Sequence, residues 1–144
     1  MHGTNNHLNL YKRLLRRESS AEQAWQQVIH RFEGSPFETL ALHILEDHRK
    51  SMASIRLRIL QTGHQPTARA DFRGNLAVHL TNAALLLGDH PLIAALCLVE
   101  TDGIQEYERL LDRFDVDDPF RATISISLLP RLQNHVAALD VMVS

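Results

Sequence analysis

The segment from Leu92 to Phe114 constrains the fold most, because it has the pattern of a long amphipathic helix and carries one acidic residue on its apolar side. Its apolar positions recur at spacings of three and four, or at sums of these, which is the period of one helical face. A buried carboxylate is unfavourable unless opposite charge, hydrogen bonds or a metal ion compensates it. The face that we expect to be buried comprises Leu92, Leu96, Glu100, Gly103, Tyr107, Leu110 and Phe114.

The composition is that of an ordinary globular domain. The chain has 144 residues, of which 44% are hydrophobic and 22% charged, so we expect a single domain over residues 1–144. A net charge of −2 and the lack of a long uncharged segment predict neither a nucleic-acid nor a membrane partner. The single cysteine, Cys97, excludes an intrachain disulfide. Because the N-terminus also shows no secretory signal pattern, we expect a cytoplasmic protein.

Four long helices and a shorter one are predicted from periodicity and from helix start and stop signals. Ser35, Pro36 and Glu38 form a capping box with proline at the first helical position. The first two helices are separated by two or three residues, so we expect them to be antiparallel neighbours. The short helix, at about 72–87, carries Leu76, Leu80, Ala83 and Leu87 on one side. The long helices are expected at about 5–32, 36–62, 89–115 and 118–142.

The last helix contains two signals that disagree with it. Residues 123–127 alternate with period two, as a strand would, and Pro130 removes one hydrogen bond from a helix interior. We retain the helix, because a lone strand would have no partner in this chain. We expect Asp118 to cap the helix, with Pro119 at its first position. The proline should kink the helix about one turn before His135.

A few ionisable residues fall on the faces predicted to be buried. Glu18 and Glu22 lie on the first helix, and His48, Glu100 and His135 lie on the second, third and fourth. Two interpretations stay open at this point. The residues form a buried layer of Glu–His pairs that satisfy one another, or they bind iron, manganese or zinc inside the helices. Four further acidic residues lie off these faces and are expected to face solvent, namely Glu46, Asp47, Glu106 and Glu108.

The order of two long helices, a crossover and two long helices, with inward Glu and His, resembles the ferritin-like four-helix bundles. Among these it is most similar to a bacterial family of uncharacterised ferritin-like bundle proteins. The resemblance covers residues 8–142 and implies an all-α, up-down bundle with a crossover between helices two and three. The segments that carry it are Glu22-Gln23-Ala24-Trp25, His48, Gly63-His64-Gln65-Pro66, Gly88-Asp89, Glu100-Thr101-Asp102-Gly103 with Tyr107, and Gln133-Asn134-His135.

The chain departs from the ferritin-like pattern at two positions. Di-iron members carry Glu-x-x-His on two helices, but here Leu45 and Leu132 stand three residues before His48 and His135. Both bridging carboxylates are thus replaced. The metal ligands predicted from the sequence are Glu22, His48, Glu100 and His135, with Glu18 as a further ligand.

The sequence leaves three functional interpretations. The first is a non-enzymatic bundle protein with a vestigial or mononuclear metal site, linked by the resemblance to stress or metal handling. The second is a di-iron-type oxidoreductase with an unusual ligand set. The third is a module that forms homo-oligomers through apolar surface on the crossover, where Leu85, Leu86 and Leu87 exceed what one helical face can bury.

Overall fold

The computed structural model describes residues 2–66 and 76–143, and the regular structure in these ranges is helical, without a strand. The all-helical expectation is therefore confirmed for them. Residues 72–75, where we expected the crossover helix to begin, lie outside the described ranges. The elements are α1 (His2–Val28), continued by a 3-10 turn (Ile29–Phe32), α2 (Glu38–Gln61), α3 (Leu76–Leu85), α4 (Asp89–Leu111), α5 (Asp118–Thr123), a π-helical segment (Ile124–Leu128) and α6 (Leu129–Val143).

Contacts between side chains fix the directions of the long helices. Helix α1 is antiparallel to α2 and to α4, and α4 is antiparallel to α6, because early residues of one helix contact late residues of the other. Helices α2 and α4 consequently run in the same direction. The contacting pairs are Gln26–Arg49 and Tyr11–Arg58 for α1 and α2, Arg31–Asp89 and Arg13–Glu106 for α1 and α4, and Cys97–Asp140 and Glu100–His135 for α4 and α6.

The buried apolar side chains form two separate clusters along the length of these helices. Each of α1, α2, α4 and α6 contributes to both clusters. Along α2, for example, Leu45 belongs to one cluster and Met52 to the other, with His48 between them. Residues at the level of His48 therefore lie between the two apolar clusters. Representative members are Leu14, Ile55, Leu110 and Leu128 in the first cluster, and Trp25, Ile44, Leu96 and Leu139 in the second.

The start of α2 differs from the predicted one by about two residues. Gly34 has a φ of +77°, a left-handed conformation that favours glycine and ends the first helical stretch. Glu38 reaches back and accepts a hydrogen bond from the Gly34 N–H at 2.8 Å, and the Ser35 hydroxyl accepts one from the Phe37 N–H at 3.3 Å. The predicted capping box is therefore wrong, because the cap of α2 is Phe37, which makes no side-chain capping hydrogen bond, and the regular helix begins at Glu38.

The cap of the last helical stretch is Asp117, so the expectation that Asp118 caps it is wrong. The Asp117 carboxylate accepts a hydrogen bond from the Phe120 N–H at 2.7 Å. Asp117 also accepts from Tyr11 and Arg58 at 2.6 and 2.5 Å, which joins the start of α5 to α1 and α2. These two partners favour Asp117 over its exposed neighbour.

The strand-like alternation at 123–127 belongs to the π-helical segment Ile124–Leu128. A proline ring clashes with the carbonyl group four residues earlier, which for Pro130 is that of Ile126. A wider π-helical turn relieves such a clash at the cost of regular hydrogen bonding. The distortion lies about two turns before His135 rather than the one turn that we expected.

Two predicted faces need correction. Helix α4 ends at Leu111, so Phe114 lies beyond it and is fully exposed, although the rest of its predicted face is buried. In α3 the buried residues include Thr81 and Ala84, whereas Ala83 is exposed. Leu87 is exposed as well and lies beyond the end of α3. The side chains of Leu76 and Leu80, expected on the same face, lie outside the described residues.

None of the helices in the described ranges, 2–66 and 76–143, is both long enough and apolar enough to cross a membrane.

Candidate functional site

Four helices place charged side chains at the level that separates the two apolar clusters. Glu18 on α1, His48 on α2, Glu100 on α4 and His135 on α6 have exposed fractions of 4%, 1%, 1% and 2%. Each follows the apolar face of its helix at helical spacing, so the same periodicity that buries the core also buries these groups. We call Glu18, Asp47, His48, Glu100 and His135 the polar layer.

Glu100 lies at the centre of the polar layer. Its Oε1 atom is 2.8 Å from His48 Nε2 and 3.0 Å from His135 Nδ1. The two imidazole rings have centroids 5.5 Å apart. One ligand atom from each of His48, Glu100 and His135 lies within 4.8 Å of the other two, a grouping that could hold a metal ion.

The outer ring nitrogens of the two histidines each meet a different carboxylate. His48 Nδ1 is 2.7 Å from Glu18 Oε2, and His135 Nε2 is 2.8 Å from Asp47 Oδ2. The Tyr107 hydroxyl donates a hydrogen bond to the other oxygen of Glu18 at 2.5 Å. All four imidazole nitrogens of the polar layer therefore face an acceptor, and the metal-free arrangement is satisfied when both rings carry both of their protons.

Burial and neighbouring charge act in opposite directions on the pKa values of His48 and Glu100. Burial opposes the charge of His48, but the Glu100 and Glu18 carboxylates outweigh it and raise the pKa of His48 well above 6.5. Burial likewise disfavours the Glu100 charge, but the charge of His48 and hydrogen bonds from His135 and His48 lower the pKa of Glu100 to about 2. Burial and the adjacent Glu18 charge raise the pKa of Tyr107 well above 10. At neutral pH Glu100 is therefore an anion, His48 a cation and Tyr107 a neutral donor.

The structure brings together three of the four ligands predicted from the sequence, His48, Glu100 and His135, but not Glu22. The Glu22 side chain is 25% exposed, and its Oε2 lies 3.6 Å from Arg49 Nε. The position on α1 that contacts the layer is Glu18, one turn earlier. The sequence left two arrangements open, separate Glu–His pairs or one converging set. The structure has a converging set, in which both histidines contact the same Glu100 oxygen.

Sequence reasoning missed Asp47, which we expected to face solvent but which is only 8% exposed. Helix α2 contacts two neighbours and therefore buries a wide face, on which Ile44, Asp47, Ser51 and Ile55 form a second row at spacings of three and four. That row was a usable signal. The expectation for Glu106 was wrong as well, since Glu106 is 6% exposed and pairs with Arg13 and Arg109. Glu46 and Glu108 are exposed, as expected.

The two leucines at which the sequence departs from the ferritin-like pattern are buried apolar side chains. Leu45 and Leu132 are 4% and 3% exposed. A Cβ atom added to Gly103 would lie 2.7 Å from Leu132 Cδ1, so the glycine allows α4 and this leucine to pack in close contact one turn from Glu100.

Comparison of the chain with protein-family models, with curated proteins and with solved structures gave no match. What can be said of its class rests on the molecule itself. It is an all-helical protein with a buried cluster of histidine and glutamate side chains, compatible with a helical bundle.

Proposed function

We propose that this chain is a ferritin-like four-helix bundle that binds a single divalent transition metal ion, namely iron, manganese or zinc. The ligands are His48 Nε2, His135 Nδ1 and Glu100 Oε1. The observation that carries the proposal is the convergence of both imidazoles on one carboxylate oxygen, at 2.8 and 3.0 Å. Adjacent ligand atoms at about 2.0–2.2 Å from an octahedral ion are separated by about 2.8–3.1 Å, whereas around a tetrahedral ion they are about 3.3–3.6 Å apart.

The charge of the polar layer supports a divalent ion. Three carboxylates, those of Glu18, Asp47 and Glu100, lie within hydrogen-bonding distance of the two imidazoles. In the metal-free arrangement in which each ring nitrogen donates to its neighbouring carboxylate, the two additional protons on the imidazoles supply two positive charges. An ion that replaces the protons on His48 Nε2 and His135 Nδ1 brings the same two charges, so the net charge of the buried layer stays constant. Metal binding then avoids the large free-energy cost of adding an uncompensated charge to the core.

The outer carboxylates support the same assignment. A histidine that binds a metal usually donates its other ring N–H to a carboxylate or carbonyl group, which fixes the tautomer and the ring orientation. Glu18 accepts this hydrogen bond from His48, and Asp47 accepts it from His135. Tyr107 in turn orients Glu18.

The helix directions support the ferritin-like topology. Two antiparallel helix pairs joined by one long crossover require the second and third long helices to run in the same direction. Leu45 and Leu132 are the reason that we propose one ion rather than a bridged pair. A di-iron-type oxidoreductase would need bridging ligands at these positions, so the function that we propose is the binding of one metal ion rather than the reaction of a bridged pair.

Metal titration of matched variants tests the proposal. Wild-type protein should bind about one Mn²⁺ or Zn²⁺ per chain, with a rise in melting temperature, since a ligand that binds only the folded state stabilises it. Glu18→Gln should weaken the affinity about 10–100-fold because it removes the partner of His48. Glu22→Gln, one turn away on the same helix, should leave the affinity unchanged.

Two results would count against the proposal. Protein prepared without chelator that holds no metal, and whose melting temperature does not respond to iron, manganese or zinc, would leave the polar layer as a set of self-satisfied ion pairs. Equal effects of Glu18→Gln and Glu22→Gln would contradict the assignment of the outer carboxylate.

A further inference from the structure

His43 and Asp47 form a histidine–carboxylate pair on the outer side of α2. They are four residues apart, so their side chains lie on the same face of the helix. His43 Nε2 is 3.3 Å from Asp47 Oδ2, and the His43 side chain is 65% exposed while that of Asp47 is 11% exposed. An imidazole nitrogen and a carboxylate oxygen at this spacing are a ligand pair for divalent transition metals.

Asp47 connects this pair with the buried layer. The same Oδ2 atom that faces His43 lies 2.8 Å from His135 Nε2. The His43 and His135 ring centroids are 6.5 Å apart. One carboxylate oxygen thus separates a solvent-exposed imidazole from the Nε2 side of His135, whose Nδ1 atom we assign as a metal ligand.

The other end of the polar layer is closed. Beyond His48 the hydrogen-bonded chain continues through Glu18, which is 4% exposed, to Tyr107, which is 1% exposed. Among the described side chains of this hydrogen-bonded series, the exposed fraction thus rises only toward His43. An ion arriving from solvent would therefore meet His43 before any other group of this hydrogen-bonded series.

We propose that His43 and Asp47 form an outer capture site from which a divalent metal ion passes to His135 and Glu100. The proposal rests on the proposed metal site and assigns the route by which that site is filled. Asp47 has two roles in it, as a ligand of the arriving ion and as the hydrogen-bond partner of His135 once the ion is seated. His43 belongs only to the outer site.

A residue on the route alters rates rather than affinity. An outer site is crossed on the way in and on the way out, so its loss slows binding and release by the same factor. The dissociation constant then stays the same. A purely structural role for His43, in orienting Asp47, would instead weaken the affinity through faster release.

Stopped-flow mixing with Co²⁺, followed by its visible absorption, tests this route. Four proteins are compared, the wild type, His43→Ala, His43→Glu and the control His30→Ala, whose histidine has a side chain that is 85% exposed. His43→Ala should slow Co²⁺ binding at least about tenfold, within the range over which local ion concentration changes association rates. Release into a chelator should slow equally. His43→Glu should restore the wild-type rates, because it supplies a carboxylate ligand, and His30→Ala should have no effect.

The outcomes separate this proposal from the one on which it rests. Normal affinity with unchanged rates in His43→Ala would overturn the capture site and leave the metal site intact. Weaker affinity with an unchanged binding rate would also overturn it, in favour of a structural role for His43. Absence of Co²⁺ binding in the wild type would overturn both.

Discussion

Glu100 compensates for its burial through two imidazoles that share one of its oxygen atoms. Each contact is short, and the three groups lie between two apolar clusters, where solvent screens their charges little. In such a setting the removal of one charged partner costs more than the pair contributes, because the remaining charge is buried without compensation.

Replacement of Glu100 by glutamine should therefore destabilise the metal-free protein. Glutamine keeps the shape but not the charge that neutralises His48, and we expect the free energy of unfolding to fall by about 3 kcal/mol or more. Urea denaturation at neutral pH measures this. Glu46→Gln, at an exposed position of α2, should change stability by less than about 0.5 kcal/mol. Stability that stays level or rises in Glu100→Gln would mean that the layer does not need this charge.

The pKa shifts predict a stability maximum for the metal-free protein. The pKa of Glu100 is lowered from 4.5 to about 2, so its contribution is present above pH 4.5 and is lost as the pH falls toward 2. The pKa of His48 is raised well above 6.5, so its contribution is present below pH 6.5 and is lost as the pH rises through the raised pKa. Denaturation curves across this range should show the maximum between pH 4.5 and 6.5, and His48→Gln should flatten the alkaline side. A wild-type free energy that keeps rising above pH 6.5 would contradict the charge assignment.

Helix starts depend on contacts that are distant in sequence. Asp117 and Asp118 are both good capping residues, and proline at position 119 favours the second as the cap. The choice is made by Tyr11 and Arg58, which belong to other helices. Local chemistry predicts that a helix begins here, and tertiary contacts decide at which residue.

The two aspartates give a matched test at this scale. Asp117→Ala should lower the free energy of unfolding by about 2 kcal/mol, because it removes a cap worth about 1 kcal/mol together with hydrogen bonds from Tyr11 and Arg58. Asp118→Ala, at an exposed position, should cost less than about 0.5 kcal/mol. Thermal denaturation of both variants measures the difference. Equal losses would show that the cap is shared or misassigned.

The periodic pattern predicted the helices well, and the reason is physical. Phe37, Ala41, Ile44, His48, Met52, Ile55 and Ile59 recur at helical spacing, and all of them are buried, because a stripe of constant spacing fixes orientation along a whole helix. Helix ends were less predictable. Phe114 continues the spacing of α4, but the helix has ended before it. The strand-like alternation at 123–127 could not indicate a π-helical turn, because that depends on where the Pro130 ring meets the preceding turn.

For the whole molecule, the sequence predicted four of the five groups of the polar layer and missed the orientation of Asp47. It also placed Glu22 among them, which lies outside the layer. Glu18 and Glu22 satisfy the same period, so spacing alone could not choose between them. The choice depends on the axial register of α1 against α2. Contacts of Gln26 with Arg49 and of Tyr11 with Arg58 fix that register. Asp47 was missed because one face per helix was considered, whereas α2 contacts both α1 and α6.

Self-association through the crossover remains a prediction at the scale of the molecule. Leu86 and Leu87 are 89% and 71% exposed, beside the start of α4. If a second copy covers them, the wild type should show a concentration-dependent dimer in sedimentation velocity, and Leu86→Asp should be monomeric. Leu57→Asp, at a leucine that is 56% exposed on α2, should leave the dimer intact. A wild type that stays monomeric at all concentrations would contradict the prediction.

The central claim, one ion held by His48, Glu100 and His135, is tested most directly by anomalous X-ray scattering from crystals grown with Mn²⁺ or Zn²⁺. The account predicts a single buried peak, with His48 Nε2, His135 Nδ1 and a Glu100 oxygen each about 2.0–2.2 Å from it, and with Glu18 and Asp47 on the outer ring nitrogens. A peak elsewhere, a second ion beside the first, or histidines still hydrogen-bonded to Glu100 with no peak between them would contradict it.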